Sequence, residues 1–235
     1  GIWEGRGIRF TGFGHYYPRT VERIPADLPP PSPVEEAVLG AELGVRARHV
    51  SDGEETIAYM AARACEAALR EADADPADLD LLVLSTWTQR RYVPEDGTRT
   101  ARLLGATSAL AIELCGACVG FVHAVQTAAS LLTTNGWRRA AVVCSDQFSK
   151  RLLPGGRGQM IAGDAAGAAG LEVGDPAAPG LRDSVVLSYG EDADVAVVHP
   201  RSGWGRSRPR ISKVAPASAA EAVDIVLDRC GLTVK

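Results

Sequence analysis

Apolar positions follow two rhythms along this chain, and the rhythms alternate. The segment 8–14 alternates and ends in Gly12-Phe13-Gly14, which predicts a strand running into a turn. Residues 25–33 are proline-rich, with Pro29, Pro30 and Pro31 in a row. They predict an extended surface loop, since proline removes a backbone donor and fixes φ. Ile57, Met60, Ala61, Ala64, Cys65, Ala68, Leu69 and Ala72 then recur at helical spacing. They form one apolar stripe, with Arg63, Glu66, Arg70 and Glu71 off it. After Pro76, residues 79–84 are almost entirely apolar, the pattern of a strand buried on both faces of a parallel sheet. An amphipathic stretch at 98–104 precedes a predicted strand at 108–114. A helix is predicted over 118–132, with Val122, Val125, Ala129 and Leu132 on one side. Strands are predicted at 140–144 and at 165–173. Beyond Gly180 the alternation restarts, with strands predicted at 181–189 and 194–198. A helix at 217–230 follows and ends at Gly231.

Strand and helix in strict alternation predict βαβ units, hence an α/β fold with a parallel sheet covered by helices. The 235 residues allow one large domain or two small ones. A chain that is 46% hydrophobic and 23% charged is neither disordered nor fibrous. The formal net charge of -4 argues against a nucleic-acid partner. No apolar run reaches the ~18 residues of a membrane span, so no membrane association is expected. The opening stretch 1–6 has no apolar core of a signal peptide. The five cysteines are odd in number and unevenly spaced, as in a reduced chain. A cytoplasmic protein with a reactive thiol is therefore expected.

The segment 113–121 carries the chemistry. A buried strand enters a tight turn of glycine and alanine, and the turn opens a helix with Cys118 at or near its first turn. Free N–H groups and the positive end of the helix favour thiolate over thiol and would stabilise an oxyanion during acyl transfer. Gly116, Ala117 and Gly120 leave room for close approach of a substrate. The same residues allow other readings. A buried cysteine is often a small hydrophobe. Cys115 and Cys118 make a C-x-x-C pair as in thiol oxidoreductases, without the tryptophan that usually precedes the first cysteine. A zinc site would need a second ligand pair, and only His123 lies close. No metal and no cofactor are expected.

Several segments, in order, resemble the ketoacyl synthase III family of the thiolase superfamily. The run 111–121 resembles its nucleophile segment. Residues 12–18 resemble its opening strand and turn, and 44–49 its GIRxRH segment. Residues 81–86 with Pro94 resemble its third strand and loop, and Ser145-Asp146 its SD pair. Arg157-Gly158 with 163–168 resembles its RG…GDGAGA region. The resemblance covers residues 8–173. It implies a thiolase-like fold of duplicated βαβαβ halves layered α/β/α. Residues 1–174 would form the half that bears the nucleophile, and residues 175–235 the start of the second. It implies Cys118 as catalytic nucleophile and an acyl-Cys thioester passed to a carbon or heteroatom acceptor, in fatty acid or polyketide metabolism. It implies a homodimer, with Trp87 and Tyr92 of the loop after the third strand shaping the acyl pocket and Arg157 binding substrate.

Two departures stand out. The family pairs its cysteine with a histidine and an asparagine in the C-terminal half. None of His15, His49, His123 or His199 resembles that histidine motif, so the partners are expected outside this sequence. The family's coenzyme A clamp aligns with Val38 and Glu42, which favours an acyl carrier protein over coenzyme A as the thioester donor. Arg138, Arg139, Lys150, Arg151, Arg157, Arg201, Arg206, Arg208 and Arg210 are the basic candidates for docking an acidic carrier. A non-catalytic partner subunit of a thiolase-fold complex is the alternative outside enzymology.

Overall fold

The computed structural model describes residues 1–23, 45, 47–89, 91, 93–153, 158, 162–198 and 203–234. The proline-rich stretch 25–33 and the positions of Val38 and Glu42 lie outside these. In chain order the elements are β1 (Ile8–Tyr16), β2 (Thr20–Arg23), β3 (Ala47–Val50), α1 (Ile57–Glu71), β4 (Leu81–Ser85), α2 (Asp96–Leu104), β5 (Leu110–Leu114), α3 (Gly120–Asn135), β6 (Arg139–Gln147), β7 (Asp164–Val173), β8 (Ala196–Val198), β9 (Gly205–Ser207) and α4 (Ile211–Cys230).

β4 sits inside the sheet, with every side chain buried, as its continuous apolar run predicts. Its alternate residues serve two cores. Leu82 and Leu84 join Ala141 and Val143 of β6 under the α1 stripe and α2. Leu81 and Val83 join Ala140 and Val142 under Ala124, Val125, Ala128, Ala129 and Leu132 of α3. Each such Leu or Val side chain contributes about 2 kcal/mol by leaving water, and each Ala about 1 kcal/mol. The result is three layers, with α1 and α2 on one face of the sheet and α3 on the other.

The α1 stripe buries as its period predicts, and Thr56 caps the helix by accepting the Tyr59 N–H at 3.2 Å. β1 lies directly on this helix. A β-carbon on Gly12 or Gly14 would collide with the carbonyls of Ala68 or Ala64.

The sheet order is β1-β7-β6-β4-β5, and it is mixed rather than parallel. β5 and β6 run parallel to β4, as helical crossovers require. β7 pairs antiparallel with β6 and with β1. Among the described residues, the link from β6 to β7 contains only the short 3-10 turn Phe148–Arg151 and no crossover helix. The chain therefore comes back in the opposite direction.

Three further expectations need correction. Residues 181–189 form no strand. Leu181 donates one bond to the Ile8 carbonyl at 2.7 Å, and no ladder follows. Of 194–198, only Ala196–Val198 is strand, in a small ribbon with β9. The last helix begins at Ile211 and runs through Pro216. In addition, Ala117–Asn135 is long and apolar enough to cross a membrane by length and composition. One side of this helix packs on the sheet, and Phe121 and Val122 on the other are exposed.

Candidate functional site

β5 ends at Leu114 beside Ser85 of β4, and the chain leaves the sheet there. A 3-10 turn, Ala117–Val119, leads directly into α3. Cys118 therefore stands in the 3-10 turn just ahead of the α-helix, and its side chain is exposed. Ala117 before it has φ of 44°, a left-handed conformation that costs a non-glycine residue about 1–3 kcal/mol. Such strain persists only where the surroundings hold it, and the backbone is packed closely at the glycines on either side. A β-carbon on Gly116 would lie 2.7 Å from Gly120 Cα and 2.9 Å from His123 Nδ1. A β-carbon on Gly120 would collide with Ser85 Oγ and lie 3.1 Å from Ser85 Cβ. The turn is thus clamped between the end of β4 and the first turns of α3. The Val119 N–H is bonded to Gly116 O at 3.1 Å, and the Gly120 N–H to Ala117 O.

The other thiols are set apart by burial. Burial alone pushes the Cys65 thiol up to about 12. Burial, reinforced by the charge of Asp146, pushes Cys144 up to about 11. Cys115 is exposed like Cys118. Iodoacetamide at neutral pH should label Cys115 and Cys118 first and Cys65 only on unfolding, because the thiolate is the reactive form. Peptide mapping of a labelling time course checks this order, and early labelling of Cys65 would contradict the buried α1 stripe.

Four carboxylates gather the loops at this end of the sheet. Asp146 Oδ1 accepts from Thr86 Oγ1 at 3.0 Å, the Trp87 N–H at 3.1 Å and Thr88 Oγ1 at 2.9 Å. Glu113 Oε2 accepts the Asp96 N–H at 2.7 Å. Asp164 accepts the backbone N–H and hydroxyl of both Ser51 and Ser149. Glu55 accepts from Tyr16 Oη at 2.7 Å, the Arg19 N–H at 2.9 Å and the Asp52 N–H at 3.1 Å. Their environments pull in different directions. Burial holds Asp146 and Glu113 above the ordinary carboxylate range, against the hydrogen bonds they accept. Burial acts the same way on Glu55, but its three donors outweigh it and leave the carboxyl below that range.

A polar cavity of about 320 Å³ opens nearby, lined by Ser51, Asp52, Thr56, Arg91, Asp96, Gln147 and Lys150 among others. Cys118 is not one of its lining residues. The chemistry-bearing turn lies on exposed surface instead, so the thiol and not the cavity marks the candidate site. Among the described residues no group of three or more His, Cys, Asp or Glu side chains is placed to hold a metal ion.

Of the residues singled out from sequence, Cys118 and Trp87 are described, and Tyr92, Arg157 and His199 lie outside the described residues. Trp87 packs edge-on against Phe148, with ring centroids 4.9 Å apart. Several basic docking candidates are already engaged. Arg138 pairs with Glu172 at 2.7 Å, Arg139 with Asp78 at 3.0 Å, and Lys150 donates to Ser51 O at 2.8 Å. Sequence reasoning did not find the roles of Asp146, Glu113, Asp164 and Glu55. One signal was present: Glu113 is an acid inside an otherwise apolar strand.

The model of the 3-oxoacyl-[acyl-carrier-protein] synthase III family matches residues 112–190, a span that opens on β5 and contains the Cys118 turn. A beta-ketoacyl-[acyl-carrier-protein] synthase III from Streptomyces lividans is 30% identical over 246 residues, an alignment covering 98% of this chain and 71% of that protein. The chain belongs to the ketoacyl synthase III family. Its fold is the thiolase-like α/β fold, and solved ketoacyl synthase III structures superpose on it. The one from Pseudomonas aeruginosa PAO1 gives a TM-score of 0.82 at 29% identity, covering 97% of this chain and 73% of that one. The one from Aquifex aeolicus VF5 gives 0.80 at 26% identity, with 97% and 73% covered. The synthase III of Pasteurella multocida is 31% identical over 183 residues, and the match spans 57% of its length.

Proposed function

We propose that this chain carries the nucleophile of a ketoacyl synthase III-type acyltransferase, with Cys118 as the acylated residue. The observation that carries this reading is the exposed Cys118 in a strained turn that two glycines clamp between β4 and α3. The Cys118 thiolate adds to the carbonyl carbon of an acyl thioester. The tetrahedral oxyanion collapses, the bond to the carrier sulfur breaks, and the carrier leaves as its thiolate, which takes up a proton from water. The acyl group then passes to a carbanion formed by decarboxylation of a malonyl-type donor, or to an oxygen or nitrogen nucleophile. Trp87 and Tyr92 shape the acyl pocket, and Arg157 meets the substrate. The donor is carried on an acyl carrier protein in fatty acid or polyketide metabolism in the cytoplasm. Residues 1–174 are the nucleophile-bearing half of the fold, and residues 175–235 begin the second.

The test is intact mass after incubation with an acyl thioester of N-acetylcysteamine. A stoichiometric acyl adduct on the peptide containing Cys118 is the expected result, and no adduct on any cysteine would end this reading.

The working form is a homodimer. β5 is an edge strand paired only with β4 among the described residues, with Leu110 exposed on it. An unpaired apolar edge of this kind is a template for a second copy. Sedimentation equilibrium should give twice the 24.7 kDa chain mass, and a purely monomeric mass at micromolar concentration would contradict the dimer.

A further inference from the structure

We propose that Asp146 and Glu113 are positioning residues that pin the two ends of the 87–95 segment and thereby select which acyl groups reach Cys118. This rests on the reading above, in which Trp87 lines the acyl pocket.

At the first end, three donors converge on a single oxygen of Asp146, from Thr86, Trp87 and Thr88. Both threonines are buried, so these bonds are shielded from competing water. Thr88 Oγ1 also accepts the Gln147 N–H at 2.9 Å, which ties the segment to β6 a second time. The Trp87 ring rests on Phe148, so backbone and ring are fixed by neighbours of the same carboxylate. Arg151 adds donors to the carbonyls of Thr88 and Gln89.

At the far end, the residue in the capping position of α2 is Glu95, and it makes no side-chain cap bond. The capping acceptor comes from another strand. Glu113 of β5 takes the Asp96 N–H at 2.7 Å. A β-carbon on Gly97 would lie only 3.1 Å from Ile112 O, so the helix start is seated directly on β5. That strand leads straight into the Cys118 turn. The segment and the nucleophile therefore share one rigid support. Between the pins, Arg91 and Val93 are exposed.

An acyl chain measured against Trp87 is thus measured against a wall held by two strands. Misplacement of such a wall by about 1 Å costs up to about 100-fold in rate. It changes discrimination between chain lengths more than reaction with the shortest acyl group.

The experiment compares Thr88→Val, Asp146→Asn, Glu113→Gln and Trp87→Ala with wild type. The first readout is tryptic cleavage at the Arg90-Arg91 pair, followed by mass and referred to cleavage after Arg70. About tenfold faster cleavage at the Arg90-Arg91 pair, with cleavage after Arg70 unchanged, is expected in the first three variants, since local opening exposes the segment. The second readout is the ratio of Cys118 acylation rates for acetyl and octanoyl thioesters of N-acetylcysteamine. It should shift about tenfold in Asp146→Asn and in Trp87→Ala, and no further in their double variant, because both act through one wall. Unchanged cleavage overturns the pinning. Faster cleavage with an unchanged ratio, or effects that multiply, overturns the selection of acyl groups. If wild type takes no acyl group, the functional reading fails, so the selection of acyl groups fails with it, and cleavage still decides whether the carboxylates hold the segment.

Discussion

Replacing Cys118 with alanine is expected to abolish the acyl adduct and lower turnover by at least about a thousandfold, the scale seen when an essential nucleophile is removed. The fold should be unaffected. The side chain is exposed, and the close backbone approach at Gly116 and Gly120 does not involve the thiol. Unfolding temperature should therefore stay within the scatter of surface substitutions, while activity collapses. Cys115→Ala is the informative companion. Cys115 is equally exposed and lies before the turn, where it lacks the position at the opening of α3. Its removal should leave the adduct in place. An adduct that follows Cys115 would move the nucleophile, and one lost in neither variant would place acylation elsewhere. Wild type that takes no acyl group would favour a partner-subunit role. Reversible loss of two hydrogens that requires both cysteines would favour the redox reading.

Much of this arrangement is visible in the residue pattern, for reasons that also explain what is hidden. Burial on both faces makes 81–85 continuously apolar, and burial on one face gives α1 its stripe. The order of layers follows from period alone. Strand direction does not. The Ala- and Gly-rich β7 looks the same whether it runs with or against β6, and only the pairing itself, which is antiparallel, decides it. The segment 181–189 has the apolar content of a strand, but a strand exists only through pairing, and no ladder forms with it. The Cys118 turn was legible because it is local, with small residues on either side of a thiol between a strand and a helix. The carboxylate ties were not, because they join residues far apart in sequence. Asp146 reaches back to Thr86, and Asp164 to Ser51. An Asp in a sequence does not announce the hydroxyls and amides that will converge on it.

Gly120→Ala should show how closely the turn depends on its seat. The added methyl has nowhere to go. It meets the Ser85 hydroxyl, and it lies 3.1 Å from Ser85 Cβ. Rotating the hydroxyl away leaves the second contact, so the start of α3 must lift from the end of β4. Overpacking of this kind costs about 1–3 kcal/mol, which a urea titration would read as an earlier midpoint. The lift also displaces Cys118 within the same turn, and a shift of about 1 Å at a nucleophile lowers its rate by up to about 100-fold. Ser85→Ala supplies the control. It removes the hydroxyl and leaves only the looser contact, so the double variant should recover part of both losses, because residues in contact are energetically coupled. If Gly120→Ala acylates at the wild-type rate, the turn does not hold the nucleophile against β4. If Ser85→Ala gives no recovery, the clash lies elsewhere. The distinction matters because one contact is asked to do two things, to seal α3 onto the sheet and to aim the thiol. Coupled recovery of stability and rate is the signature of that shared duty.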